Sequence, residues 1–249
     1  MANVQSGFGA VEIFEDFVGW EKPLLNTESV QYIGGLRIIG QGIEATDSGV
    51  VSLESDALNG VVQFTTTDES EHTVGITTPK MFDVALMAPI VAECRVRFEA
   101  LDTQAFYFGF TDVNDNTEIL QGTNISGATT TLTLTASDLC GFFISDELTD
   151  DEDWHMVYNG GTTTGETVST SVDADDDAVA GEFQVLRLEI DNNGTARWLI
   201  DGVLKQTKAG AVSTTTDLAC MAMVEAKTTT VETADLDYFY VKSSRDWTI

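Results

Sequence analysis

Glu189 and Asp191 are the residues whose types and spacing first suggest chemistry. They stand two apart in the stretch FQVLRLEIDNNGTARWLIDG, residues 183–202. On a strand, residues two apart share a face. Carboxylates aligned in this way can act as nucleophile, helper and general acid in a retaining glycosidase. That pattern continues with a further carboxylate, and here Asn192, Asn193 and Gly194 stand in its place, where the strand turns. No catalytic residue is therefore assigned, and Glu189 and Asp191 read as outward residues ending a strand. Nucleophilic chemistry finds no better footing. There is no GxSxG elbow, and the two histidines, His72 and His155, are isolated from each other in strand-like segments, which makes a zinc site improbable.

Three other groups of residues could bind rather than react. Asp112, Asn114, Asp115 and Glu118 follow the run AFYFGFT, and oxygen ligands at such spacings can wrap a calcium ion. The central Gly and final Glu of an EF-hand loop are missing, so a structural calcium is the one cofactor expectation. Asp173, Asp175, Asp176 and Asp177 read as a second oxygen-rich loop, and ELTDDED at 147–153 as a solvated acidic tract. Among the tryptophans, Trp198 alternates with Ala196 and Ile200 and reads as core. Trp154, at the junction of the acidic tract and a strand, is the candidate platform for a sugar ring. Near the chain start, Phe14, Phe17, Trp20 and Leu24 place large apolar groups on a segment that could dock on another surface.

The elements that must position these residues are strands. Period-two alternation dominates the chain, with strands expected near 11–17, 32–39, 90–100, 105–111, 139–145, 154–159, 167–172, 182–191, 195–201, 203–208, 218–226 and 234–243, among others. Gly and Asn/Asp clusters such as GG at 34–35, NDN at 114–116 and DNNG at 191–194 separate them. No segment makes a convincing amphipathic helix. The pattern predicts an all-β sandwich of one domain over residues 26–249, with residues 1–25 as an N-terminal arm or edge strand.

Charge narrows the partners. The 249 residues carry 41 acidic and 12 basic side chains, a net charge of −29. Phosphates and anionic membranes would be repelled, so neither nucleic acid nor membrane is an expected partner. The imbalance is regional: residues 98–186 contain 18 Asp and Glu and no Lys or Arg. Cys94, Cys140 and Cys220 lie in apolar, strand-like runs without CxxC spacing and read as buried free thiols. The start MANVQSGFGAVEIF shows no secretion signal, and no apolar run is long enough to span a membrane.

Several segments, in order, carry a family resemblance: FEDF (14–17), PIVAECRVRF (89–98), FYFGFTD (106–112), GFFISD (141–146), DWHMVYNGG (153–161), the hairpin closing Trp198-Leu199-Ile200-Asp201-Gly202, and ADLDYFYVKS (234–243). Together they resemble the concanavalin A-like jelly-roll domains of lectins, laminin-type modules and structural proteins of tailed bacteriophages. The resemblance implies a jelly-roll β-sandwich of two antiparallel sheets. Its phage branch implies a non-enzymatic virion structural protein, a head decoration protein on the outer surface of the capsid, made in the host cytoplasm. Its partners would be the major capsid protein or other virion proteins, in a homo-oligomer or symmetric array. The alternative is a lectin-like module of a phage fibre that contacts host glycans.

Overall fold

The computed structural model describes residues 3–4, 9–18, 31–40, 49–54, 59–114 and 120–246. Its strands, numbered along the chain, form two large sheets in which all neighbours are antiparallel. Sheet I runs in the order β1 (Asn3–Val4), β2 (Ala10–Glu15), β20 (Thr233–Ser244), β9 (Ile90–Phe98), β16 (Gln184–Ile190), β17 (Ala196–Ile200) and β18 (Val203–Lys208). The pair β5 (Val50–Leu53) and β6 (Val62–Thr65) joins it beside the first residues of β20. Sheet II runs β15 (Asp173–Asp177), β14 (Asp153–Asn159), β13 (Leu139–Ser145), β10 (Gln104–Thr111), β19 (Asp217–Ala226), β7 (Thr73–Thr77), β4 (Leu36–Ile39) and β3 (Gln31–Ile33). The short β8 (Phe82–Asp83) pairs with the start of β19. A separate hairpin joins β11 (Ile125–Ala128) to β12 (Thr131–Leu134).

Alternation decides what the sheets bury. In β9, Ile90, Ala92, Cys94, Val96 and Phe98 point inward and are buried, while the residues between them are half-exposed. The inner faces meet through aromatic rings: Phe108 of sheet II stands edge-on to Phe239 of sheet I, and Phe98 of sheet I contacts Phe106 and Trp154 of sheet II. Trp198 fills the core as its spacing indicates, and its indole N–H donates to the Gly141 carbonyl of the other sheet at 2.8 Å. That bond satisfies the one polar atom the ring buries. All three cysteines are buried and unpaired, and burial pushes each thiol well above its ordinary value. The β17–β18 turn takes positive φ at Asp201 (49°) and Gly202 (78°), the conformation an Asp-Gly hairpin favours.

Several expectations need correcting. Residues 32–39 form two strands rather than one, because Gly34 and Gly35 turn the chain between β3 and β4. The strand expected at 167–172 is instead a short turn at Ser169–Ser171. The strand lies just beyond it, at Asp173–Asp177, in residues read as an oxygen-rich loop. A one-turn helix at Val84–Met87 was not legible; the Asp83 carboxylate caps it by accepting from the Leu86 N–H at 3.0 Å.

The two sheets differ in their outer faces. Every residue of β10, β13 and β7 is buried, so sheet II is covered on both sides. Its roof is the chain from Leu120 to Leu134, joined by the neighbourhoods of Leu148 and Val172. The turn Leu120–Asn124 is pinned to the sheet at two points: Thr111 Oγ1 donates to Asn124 Oδ1 at 2.6 Å, and the Gln121 N–H donates to Glu225 Oε2 at 2.9 Å. Leu120, Ile125, Leu132 and Leu148 fill the space beneath. The outer face of sheet I carries no such cover across β9, β16 and β20 among the described residues.

Candidate functional site

A break in alternation builds the open face. In ADLDYFYVKS, strict period two would put Asp235, Asp237 and Phe239 on one side. The register of β20 against β9 instead shifts between Leu236 and Tyr238. Asp237 becomes the extra residue of a bulge. Leu236, Phe239 and Val241 all stay buried, and Tyr238, Tyr240 and Lys242 are displayed outward.

Strand registers then arrange the face in rows. One row runs Phe14, Tyr240, Glu93, Arg187 and Leu199 across β2, β20, β9, β16 and β17. Four strand gaps make it about 19 Å long. The neighbouring row runs Glu12, Lys242, Val91, Glu189 and Arg197. On the other side, Tyr238 stands opposite Arg95. Phe14 is 37% exposed and its ring lies 6.1 and 6.2 Å from those of Tyr238 and Tyr240. Phe183 is held between two guanidinium groups, with Arg95 at 4.2 Å and Arg97 at 4.7 Å from its ring centre.

Most charged groups on this face are paired. Arg187 donates to Glu189 Oε1 at 2.7 Å and to Glu93 Oε2 at 3.0 Å, and the Tyr238 hydroxyl donates to Glu93 Oε1 at 2.8 Å. Arg95 meets Asp237 at 2.6 Å, Arg97 Nε donates to Asp235 at 3.0 Å, and Arg197 meets Asp191 at 2.6 Å. Burial, then the hydrogen bond to Glu93, raises the Tyr238 phenol; burial, then the charge of Glu12, raises that of Tyr240. Both phenols therefore stay protonated donors. From Tyr240 and Arg187 past the second row opens a recess of about 500 Å³ lined by Tyr240, Lys242, Arg187, Val91, Pro89 and Gly9, among others; none of its described lining residues is a carboxylate.

The candidates from sequence fall in different places. Glu189 and Asp191 lie in and beside β16, on the outer side of sheet I, each tied to an arginine. The Asp191 carboxyl is lowered by its bond to Arg197, opposite to the rise a general acid needs. Trp154 is no sugar platform. It is fully buried against Phe98, Phe106 and Phe142, and its indole N–H donates to Gln184 Oε1 at 2.9 Å. Of the four apolar docking candidates, Phe14 is exposed in β2 and Phe17 is fully buried, while Trp20 and Leu24 lie outside the described residues. Residues 10–15 are a strand inside sheet I, between β1 and β20.

The described half of the calcium set is engaged elsewhere. Asp112 Oδ1 accepts the Asp138 N–H at 3.2 Å. The Asn114 amide donates to the Thr78 carbonyl at 3.2 Å, and Asn114 shares a small recess with Arg37 and Lys80, a poor setting for a cation. Asp115 and Glu118 lie outside the described residues. Among the described residues no three His, Cys, Asp or Glu side chains converge as metal ligands.

Sequence reasoning missed Tyr238, Tyr240, Lys242 and the Arg95–Phe183–Arg97 stack. The available signal was the density of aromatic and basic residues in RVRF, EFQ and DYFYVK, in a chain otherwise short of bases.

No protein-family profile and no curated protein matches the sequence. Solved structures do match in shape. A protein of unknown function from Shewanella oneidensis aligns with a TM-score of 0.59 and 10% identity, over 98% of this chain and 91% of that one. The carbohydrate recognition domain of Emp46p, in its metal-free form, gives 0.55 and 9%, over 91% and 94%. A glycoside hydrolase family 16 endo-glucanase from Bacteroides ovatus gives 0.54 and 13%, over 92% and 98%. The fold is a concanavalin A-like jelly roll. At these identities the likeness is one of fold. It corrects the expectation of a non-enzyme, since an endo-glucanase shares the scaffold with recognition domains. It lends no support to a capsid role.

Proposed function

We propose that this chain is a lectin-like carbohydrate-recognition module that binds glycan on the outer face of sheet I. The observation that carries the reading is the open face itself: Phe14, Tyr238 and Tyr240 stand beside paired Arg and Glu side chains and a recess of about 500 Å³. Aromatic rings offer apolar surface to the C–H side of a sugar, and a phenol adds a polar tip. Arginine donors and carboxylate acceptors held in fixed pairs match the hydroxyls of a sugar edge. Among the described residues, the roof on sheet II leaves no comparable surface there. The carbohydrate recognition domain among the structural neighbours is consistent with this reading.

The test is a glycan array probed with the full chain, followed by titration of the best ligand into Tyr240→Ala and Phe14→Ala. Binding that falls at least tenfold in Tyr240→Ala, with an unchanged melting temperature, is the expected result. The virion-docking reading competes for the same face, because Phe14 belongs to it. Co-sedimentation with undecorated phage heads, lost in Phe14→Ala, together with an empty glycan array, would favour docking instead.

A further inference from the structure

We infer that the ligand of this face is an uncharged glycan chain lying across the strands, and that acidic glycans are turned away. The inference rests on the carbohydrate-recognition reading and adds the class and extent of the ligand. Its first support is a charge balance. The rows and pairs described above hold five of the chain's 12 basic residues and six of its 41 acidic ones, so the face stands near −1 in a chain of −29. A near-neutral face on a strongly acidic body costs an uncharged ligand nothing. An anionic ligand seated there would still meet the net negative charge of the rest of the chain, screened by salt.

The second support is how the charges are arranged. The four arginines are each bonded to a carboxylate. Lys242 makes no ion pair among the described residues. The nearby Glu12, opposite it in register, interacts with Tyr240. An acidic sugar could pair with Lys242 alone and would have to displace a carboxylate to reach any of the four arginines, whereas sugar hydroxyls can use donors and acceptors already in place. The third support is shape. The row from Phe14 to Leu199 crosses four strand gaps, about 19 Å. Its ends are apolar, and the recess at Tyr240 and Arg187 lies between them. That outline fits a chain of several rings rather than one.

The experiment titrates the full chain with neutral oligosaccharides of increasing length from the array's best backbone, and with the carboxylated and sulfated forms of the same backbone, at 20 mM and 500 mM salt. The expected result is affinity that climbs with length and then levels off. At low salt the neutral form should bind at least tenfold tighter than either acidic form, and the gap should narrow at high salt. Phe14→Ala should weaken the longest chains more than the shortest. Equal or tighter binding of an acidic form at low salt would overturn the inference while leaving glycan recognition intact, as would a monosaccharide binding as tightly as the longest chain. Failure of every glycan to bind would overturn the reading on which the inference rests.

Discussion

Raising the pH through neutrality should loosen the β14–β15 edge, and Asp153→Asn should remove the effect. Asp153 and Asp177 face each other across the ladder. The Asp153 carboxyl is pushed up to about 7 by burial first, then by its hydrogen bond with Asp177 and the charges of Asp173, Asp177 and Asp150. In the unfolded chain it returns to its ordinary 3.8. Between those values the folded protein holds a proton that the unfolded chain has released. Stability from this pair is therefore full below about 3.8 and is lost as the pH rises through about 7. His155, opposite Asp173, is pushed down by burial and adds no charge in the neutral range. The gap would be worth about 4 kcal/mol if fully expressed, and solvent at a strand edge screens it to about 1–2 kcal/mol. Hydrogen exchange of a peptide spanning residues 172–178, corrected for the intrinsic rate, reads the edge directly. Protection should fall roughly tenfold between pH 4 and pH 8.5 in the native chain and stay nearly level in Asp153→Asn. A native edge indifferent to pH, or a variant with the same fall, would refute the shared-proton account.

Trp154→Ala should cost about 3–5 kcal/mol in chemical denaturation, because it empties a fully buried ring site and leaves Gln184 without its indole donor; a loss under 1 kcal/mol would mean the ring is not core. Lys227 reaches Glu147 at 2.7 Å and the fully buried Glu225 at 3.1 Å, so Lys227→Met should cost about 3–5 kcal/mol by stranding that carboxylate. Adding Glu225→Gln should recover much of the loss, and no recovery would refute the pairing. Millimolar calcium and magnesium at constant ionic strength should shift the melting temperature equally, through screening of the acidic surface; a shift specific to calcium would point to Asp115 and Glu118 as ligands after all.

Which parts of this molecule were legible in its sequence follows from the range of the interactions involved. The hairpin at 183–202 was readable because alternation and an Asp-Gly turn are local. Trp198 was placed in the core for the same reason, through its spacing with Ala196 and Ile200. Trp154 misled because its neighbours in sequence are acids, while its neighbours in space are Phe98, Phe106 and Phe142 from other strands. Asp173–Asp177 looked like a loop because five residues that are nearly all acid have poor strand propensity. It forms an edge strand where β14 supplies the ladder and Lys205 meets Asp176 at 2.7 Å. Tyr238 and Tyr240 could not be assigned a face from sequence, since a bulge at Asp237 shifts the alternation by one residue and only the pairing with β9 reveals it.

The linear charge pattern becomes facial once the chain is folded. The base-free stretch from 98 to 186 supplies β10 to β15 and the roof, so it builds most of the covered side of the sandwich. Arg95, Arg97, Arg187, Arg197 and Lys242 flank that stretch in sequence, and all fall in β9, β16, β17 and β20, which are adjacent in sheet I. Segregation along the chain is thereby converted into an acidic body with one balanced face. The acidic body disfavours indiscriminate contact between copies. The balanced face is where another surface can approach without that repulsion, and it is also the one large sheet face among the described residues that the fold leaves unroofed. Two independent features, the cover over sheet II and the distribution of the basic residues, thus select the same strands, which is why the glycan reading is placed there; Glu189 and Asp191 lie on that same side, tied to Arg187 and Arg197.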